Sequence, residues 1–160
     1  MVDFKIVTGR QDHVNQMKGK LRKIDEFECY ANIDKTGDFA LQFSYNVSSI
    51  GLVWTAFMDN EPFAMFGASN VEAKAGVGIP WLLATDKLEE AWLFVLRQSK
   101  KYVARMQERY GLLFNFVHAE NTKSIKWLKW AGFVIMEAKP YGAHGHLFHQ
   151  FYKKREGFYV

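Results

Sequence analysis

Three apolar runs, IGLVWTAFM, FAMFGAS and IPWLLAT, follow one another between residues 50 and 85, with DNEP between the first two. No other part of the chain constrains the fold so tightly. Uncharged runs of this length, bounded by turn residues, read as a strand, a turn and a strand. The third run reads as another strand, with Pro80 tolerated near its start because a strand's first residue needs no ladder N–H. Adjacent central strands need apolar helix faces to cover them.

The flanking sequence supplies those faces. DFKIV, residues 3–7, alternates like an edge strand. From Gln11 to about Tyr30 the apolar residues Val14, Met17, Leu21, Ile24 and Phe27 recur every three or four positions, which predicts an amphipathic helix weakened at Gly19. Asp38 is placed to cap a second helix, held to the core by Ala40, Phe43 and Val47. The longest helix is expected over 87–110, with Leu88, Trp92, Val95, Leu96, Val103 and Met106 as its buried stripe. LLFNFVHA reads as a buried strand, and FVIMEA and HLFHQFYK as two closing strands. The order β-α-α-β-β-β-α-β-α-β-β makes a mixed α/β (α+β) fold around one largely antiparallel sheet, expected as a single domain over 1–160.

Composition narrows the class. At 160 residues, with 49% hydrophobic and 24% charged residues, the chain can bury a real core. Cys29 is the only cysteine, so no internal disulfide forms, and a lone cysteine far from any histidine reads as a small apolar packer. The charged start MVDFKIVTGR is not a signal peptide, so secretion is not expected and the sequon at Asn46 carries no weight. Residues 39–58 are uncharged over a bilayer-spanning length, but Gln42, Ser44, Asn46, Ser48, Ser49 and Thr55 interrupt them. That stretch reads as a buried helix running into a buried strand, and no membrane association is expected. The net charge of +4 permits phosphate or nucleic-acid contact without requiring it.

NTKSIKWLKWAGF, residues 121–133, is a complete helix sentence. Asn121 can cap it, Ile125 and Leu128 face the core, and Gly132 suits the left-handed stop that lets Phe133 fold back on Leu128. Lys123, Lys126 and Lys129 fall on the exposed side. The spacing Asn121, Ser124, Ile125, Gly132, Phe133 resembles the last conserved helix of the Gcn5-related N-acetyltransferase (GNAT) fold, and the order of elements agrees over nearly the whole chain. The ordered set PWLLATDKL, KYVARM, NFVHAENTKSIKWLKWAGF and PYGAHGHLFHQF further resembles the internal virion protein A-like family of short-tailed bacteriophages, whose members carry a GNAT-like domain.

The GNAT resemblance implies acetyl-CoA as cofactor, with contacts from Leu83, Ala84, Thr85, Asn121 and Ser124, and proton transfer by His118 or Glu120 at the end of the fifth strand. The sequence departs from that pattern in two places. The turn before the long helix, ATDKLEEAW, has no glycine, and it carries Asp86, Glu89 and Glu90 where a pyrophosphate would need a positive helix end. Asp86 and Glu89 are instead spaced as a capping box. Seven residues after Asn121, where many members have a thiolate-protonating tyrosine, stands Leu128; Tyr102, Tyr110 and Tyr141 are the remaining candidates for that proton.

These departures count against acetyl-CoA binding. They favour a phage internal virion or assembly component, located in the virion or the infected host cytoplasm, whose partners would be virion proteins or DNA. An acetyl-CoA-dependent N-acetyltransferase and a non-catalytic small-ligand binder are the alternatives. Arg97, Lys100, Lys101 and Arg105 on the long helix, with Lys153, Lys154 and Arg155, offer a cationic face. His144, His146 and His149 lack the spacing and companion ligands of a metal site, so no metal is expected.

Overall fold

The computed structural model describes residues 1–158. Strands β2 (Ser48–Met58) and β3 (Glu61–Asn70) form a hairpin whose turn residues Asp59 and Asn60 both take positive φ, 49° and 67°. That is the backbone a two-residue hairpin loop requires, and Asn and Asp tolerate it best after glycine. β1 (Phe4–Thr8) pairs with the outer edge of β2, and β4 (Val77–Ala84) with β3, all antiparallel. β5 (Leu112–His118) then joins β4 in parallel. β8 (His146–Lys154) runs antiparallel to β5, and the short β6 (Val134–Ile135) and β7 (Lys139–Tyr141) lie end to end on its far edge. The result is one eight-stranded, mostly antiparallel sheet in the order β1-β2-β3-β4-β5-β8-β6, with β7 also on β8.

The β4–β5 join places the site. Only Val77 with Leu112 and Gly78 with Leu113 are in register; beyond them the strands part. Pro80 sits where the ladder stops and has no N–H to give. Asn115 Nδ2 donates to the Pro80 carbonyl at 2.7 Å, a side-chain bridge at the apex of the gap. Pro80 is thus inside the strand rather than at its start, and the splay is what makes it tolerable.

Helices cover both faces. α1 (Gln11–Met17), α2 (Lys23–Ile33) and α3 (Gly37–Val47) bring Val14 and Met17, Cys29, and Leu41 onto Met65 and Leu83. α4 (Trp92–Arg109) and α5 (Thr122–Trp130) bring Val103, Met106 and Leu128 onto Leu113, Val117 and Phe151. Leu41 and Leu113 are wholly buried, and each such side chain stabilises the fold by about 1.5–3 kcal/mol relative to exposure.

The helix expected from Gln11 to Tyr30 is two helices. The chain breaks at Gly19, with φ of +78°, Leu21 bridges to Thr85, and Arg22 N donates to the Ala84 carbonyl at 2.8 Å. Docking on the end of β4 outweighs continuity of the helix. Thr36, not Asp38, caps α3, its hydroxyl accepting from Phe39 N at 3.1 Å; Asp38 accepts from Gly19 N instead. Ala40 and Leu41 hold α3 to the core, whereas Phe43 and Val47 are exposed. Residues 39–58 are a helix running into a strand, and no described helix is long and apolar enough to cross a membrane.

The long helix begins at Trp92, later than expected. Residues 86–88 form a single 3-10 turn in which the Thr85 hydroxyl accepts from Lys87 N. The expected capping box of Asp86 and Glu89 does not form, because the Glu89 carboxylate turns to Lys123. α5 matches its sequence closely. Asn121 Oδ1 accepts from Ser124 N, and Gly132, at φ +96°, ends the helix with Gly132 N donating to Lys129 O and Phe133 N to Leu128 O. That pair of bonds is a Schellman stop.

Candidate active site

Where β4 and β5 part, a cleft of about 330 Å³ passes through the sheet. Arg22, at the cap of α2, and Asp25, Glu28 and Cys29 on it line one mouth, and Trp92, Lys123, Ser124 and Trp127 line the other. Trp81 lines the cleft without closing it, since its Nε1 donates to Ser48 Oγ at 2.8 Å.

α2 presents a polar stripe to this cleft. Asp25, Glu28 or Cys29, and Asn32 recur at helical spacing and all line it. The helix is fixed at its start by a buried ion pair, Arg22 Nε and Nη2 donating to Asp25 at 3.0 and 2.8 Å. Asp25 Oδ2 also accepts from Ala84 N at 2.9 Å, tying α2 to β4.

Glu28 is the central group. Its Oε1 accepts from Asn121 Nδ2 at 2.8 Å and from His118 N at 3.1 Å. Both donors meet the same oxygen, and no described residue donates to Oε2. Burial raises the Glu28 pKa to about 7, against the lowering effect of the two hydrogen bonds, with Asp25 pushing the same way as burial. A carboxylate poised near neutrality, with one oxygen anchored and one free, is suited to taking a proton from a reacting group.

His118 is placed differently from Glu28. It is buried, and burial lowers its pKa, which favours the neutral ring. Glu120 N donates to Nδ1 at 3.1 Å, which assigns the ring proton to Nε2. Nε2 therefore donates to His146 Nδ1, also at 3.1 Å. Both ring nitrogens are engaged, and His118 serves as a prop: its backbone holds Glu28, and its ring packs against Phe27 and Phe148. Glu120 is exposed and lies outside the cleft. Cys29 lines the cleft, but burial and the nearby carboxylates push its thiol up to about 12, so it stays protonated.

The outer edge of β4 faces the cleft. Pro80 and Ala84 turn their backbone groups away from β3, and Leu82 shares their parity. The Pro80 carbonyl is bound by Asn115, and the Ala84 N–H and carbonyl by Asp25 and Arg22. The N–H and C=O of Leu82 are left as the one unclaimed step of that edge among the described residues. Across the cleft, Trp127 Nε1 is buried without a partner, the only side-chain nitrogen or oxygen among the described residues in that state.

The residues expected at the site divide accordingly. Asn121 and Ser124 line the cleft and Asn121 engages Glu28. Leu83 also lines it but spends its backbone on the β3 ladder; Ala84 is covered by α2, and Thr85 caps the turn below. Tyr102 is packed between Trp54 and Phe66, Tyr110 is bonded to Ser49 and Asn70, and Tyr141 is stacked on Phe116 at 3.7 Å. Near the start of α4, Lys87 is paired with Glu61 and Lys123 with Glu89. Among the described residues no three potential ligands cluster as a metal site; His144 pairs with Asp34 and His149 with the Met136 carbonyl. Glu28 was missed in sequence because attention to the apolar stripe of α2 hid the polar one.

The chain has the GNAT acetyltransferase fold. It is similar to ribosomal-protein-alanine N-acetyltransferase from Brucella melitensis, with a TM-score of 0.72 at 12% identity, over 94% of this chain and 99% of that one. A candidate acetyltransferase from Salmonella typhimurium, solved with its cofactor acetyl-CoA, gives 0.69 at 11% identity over 98% and 96%. A Bacillus subtilis acetyltransferase in complex with CoA gives 0.62 at 8% identity over 96% and 99%. The sequence matches no protein-family profile and no curated protein.

Proposed function

We propose that the cleft binds acetyl-CoA and that the protein transfers the acetyl group to an amine. The observation that carries this reading is Glu28, held on one oxygen by Asn121 Nδ2 and His118 N in the wall of the splayed β4–β5 gap. The gap also fits an extended thioester arm, because the unclaimed N–H and C=O of Leu82 offer it one rung of strand pairing. The bound thioester supplies an activated acyl group. Glu28 Oε2 takes the proton from the attacking amine, Asn121 and His118 N keep the carboxylate aimed, and the covering helices exclude water. The pairing of Lys87 and Lys123 with carboxylates leaves the phosphates to other cations, of which Lys126, Arg97 and Lys100 are exposed nearby in sequence.

The test is release of free thiol from acetyl-CoA in the presence of a panel of primary amines, for the wild type and Glu28→Gln. The reading expects amine-dependent release that falls by at least about 100-fold in the variant. Equal release by both proteins would refute Glu28 as the base.

The second reading is a bacteriophage internal virion or assembly component acting by contact with virion proteins or DNA. It rests on the four ordered sequence motifs and on the exposed cations Arg97, Lys100, Lys101 and Arg105. The fold likeness to acetyltransferases, some holding acetyl-CoA or CoA, favours the enzymatic reading. Co-purification with virions, with no thiol release, would reverse that preference.

A further inference from the structure

Trp127 sits on the inner face of α5, and its ring lines both the through-sheet cleft and a smaller apolar hollow of about 90 Å³ beside it. The hollow is walled mostly by apolar side chains, Pro80, Leu82, Val95, Leu128 and Phe151 among them; Gln98, Ser99 and Tyr102 also line it, and none of them bonds the indole. Nε1–H is buried and unpaired. Leaving a buried donor unmade is costly, and a phenylalanine would place an aromatic ring there without that donor. Of the other two indoles in the cleft wall, Trp81 and Trp92, that of Trp81 is satisfied by Ser48. An unsatisfied donor on a side chain that lines a ligand cleft points to an acceptor that arrives with the ligand.

Its position selects the part of the ligand. Asn121, at the start of α5, contacts Glu28, and Ser124, Trp127 and Leu128 continue along the same cleft-facing side. Leu128 has no proton to offer the leaving group, and Trp127 is its immediate neighbour. We infer that the Trp127 indole N–H hydrogen-bonds the thioester end of the bound acyl donor and steadies the charge that gathers on sulfur; this rests on the acetyl-CoA reading above.

The step balances without a protein acid. The amine nitrogen bonds to the acyl carbon, the carbon–sulfur bond breaks with its electron pair going to sulfur, and Glu28 Oε2 takes the amine proton. An indole does not ionise near neutral pH, so Trp127 shares its hydrogen with the sulfur without giving it up. The thiolate takes its proton from water as it leaves.

Trp127→Phe keeps an aromatic side chain and removes the donor. Calorimetric titration of the wild type and the variant with acetyl-CoA should show binding about 10-fold weaker in the variant. Thermal melting of the apo variant checks that it folds, since the smaller ring leaves a void that offsets the gain from removing the orphan donor. In the wild type, the indole N–H proton resonance that is absent from the variant should move downfield when acetyl-CoA is added. Binding by the wild type with that resonance unmoved, or equal binding by both proteins, overturns the Trp127 assignment and leaves the acetyl-CoA reading standing. No binding by the wild type overturns both. The resonance is read on the wild type, so the test holds even if the variant folds poorly.

Discussion

Asn121 Nδ2 donates to Glu28 Oε1 at 2.8 Å while Asn121 Oδ1 accepts from Ser124 N at the head of α5. One side chain therefore caps a helix on one face of the sheet and aims a carboxylate on the other. Asn121→Ala should lose the cap and one of the two donors to Glu28. We expect a loss of about 1–2 kcal/mol in thermal or denaturant unfolding, and a fall in kcat larger than any change in KM. Unchanged stability and kcat would remove Asn121 from the account.

The pKa of Glu28 makes a signed prediction. Its folded value, about 7, lies above the ordinary 4.5. The folded state therefore holds the proton between those values while the unfolded state has lost it, so stability falls as pH rises through this window. Above pH 7 the buried charge costs up to about 3 kcal/mol. Glu28→Gln can keep both donors on Oε1 and removes that cost. The variant should melt higher than the wild type at pH 8 and alongside it at pH 4. Catalysis runs the opposite way: thiol release by the wild type should fall below about pH 7 as Oε2 becomes protonated. A variant less stable than the wild type at pH 8 would contradict the buried-charge argument.

Arg22 and Asp25 form a buried ion pair at the foot of α2. Asp25→Ala leaves the guanidinium buried without its partner and frees Ala84 N. We expect a loss of about 3–5 kcal/mol. Replacing both residues with apolar ones of similar volume should recover much of it. A single-variant loss under about 1 kcal/mol in urea unfolding would show that the pair is not what fixes α2.

Leu128 stands where the GNAT resemblance implies a tyrosine, and here it is part of the core. Leu128→Tyr should destabilise the chain by about 1–3 kcal/mol through overpacking and should not raise turnover. A faster enzyme would mean that protonation of the leaving thiolate limits turnover and that the Trp127 N–H does not suffice to steady it.

The sheet, the closing helix and the helix-to-strand passage at residues 39–58 were legible because each rests on local pattern: apolar runs, an Asn cap, a Gly stop. The elements that failed were decided by distant contacts. The break at Gly19 is set by the docking of Leu21 and Arg22 on the end of β4. The lost capping box is set by Lys123 drawing Glu89 away from the helix start. Glu28 was legible only as part of a polar stripe, Asp25, Glu28 and Asn32, on a helix read for its apolar one. His118 and Glu120 drew attention by lying at a strand end, yet the fold spends the imidazole on Glu120 N and His146 and turns the Glu120 side chain to solvent. The partnership of Glu28 with Asn121 spans 93 positions and could not be read from spacing.

Calorimetric titration of the wild-type protein with acetyl-CoA, at low and at moderate salt, tests whether the cleft holds this cofactor. One-site binding is expected, with a Kd between roughly 1 µM and 1 mM, weakening as salt screens the phosphates. No heat and no thermal stabilisation at either salt would contradict it, and would turn the search to virion proteins and DNA.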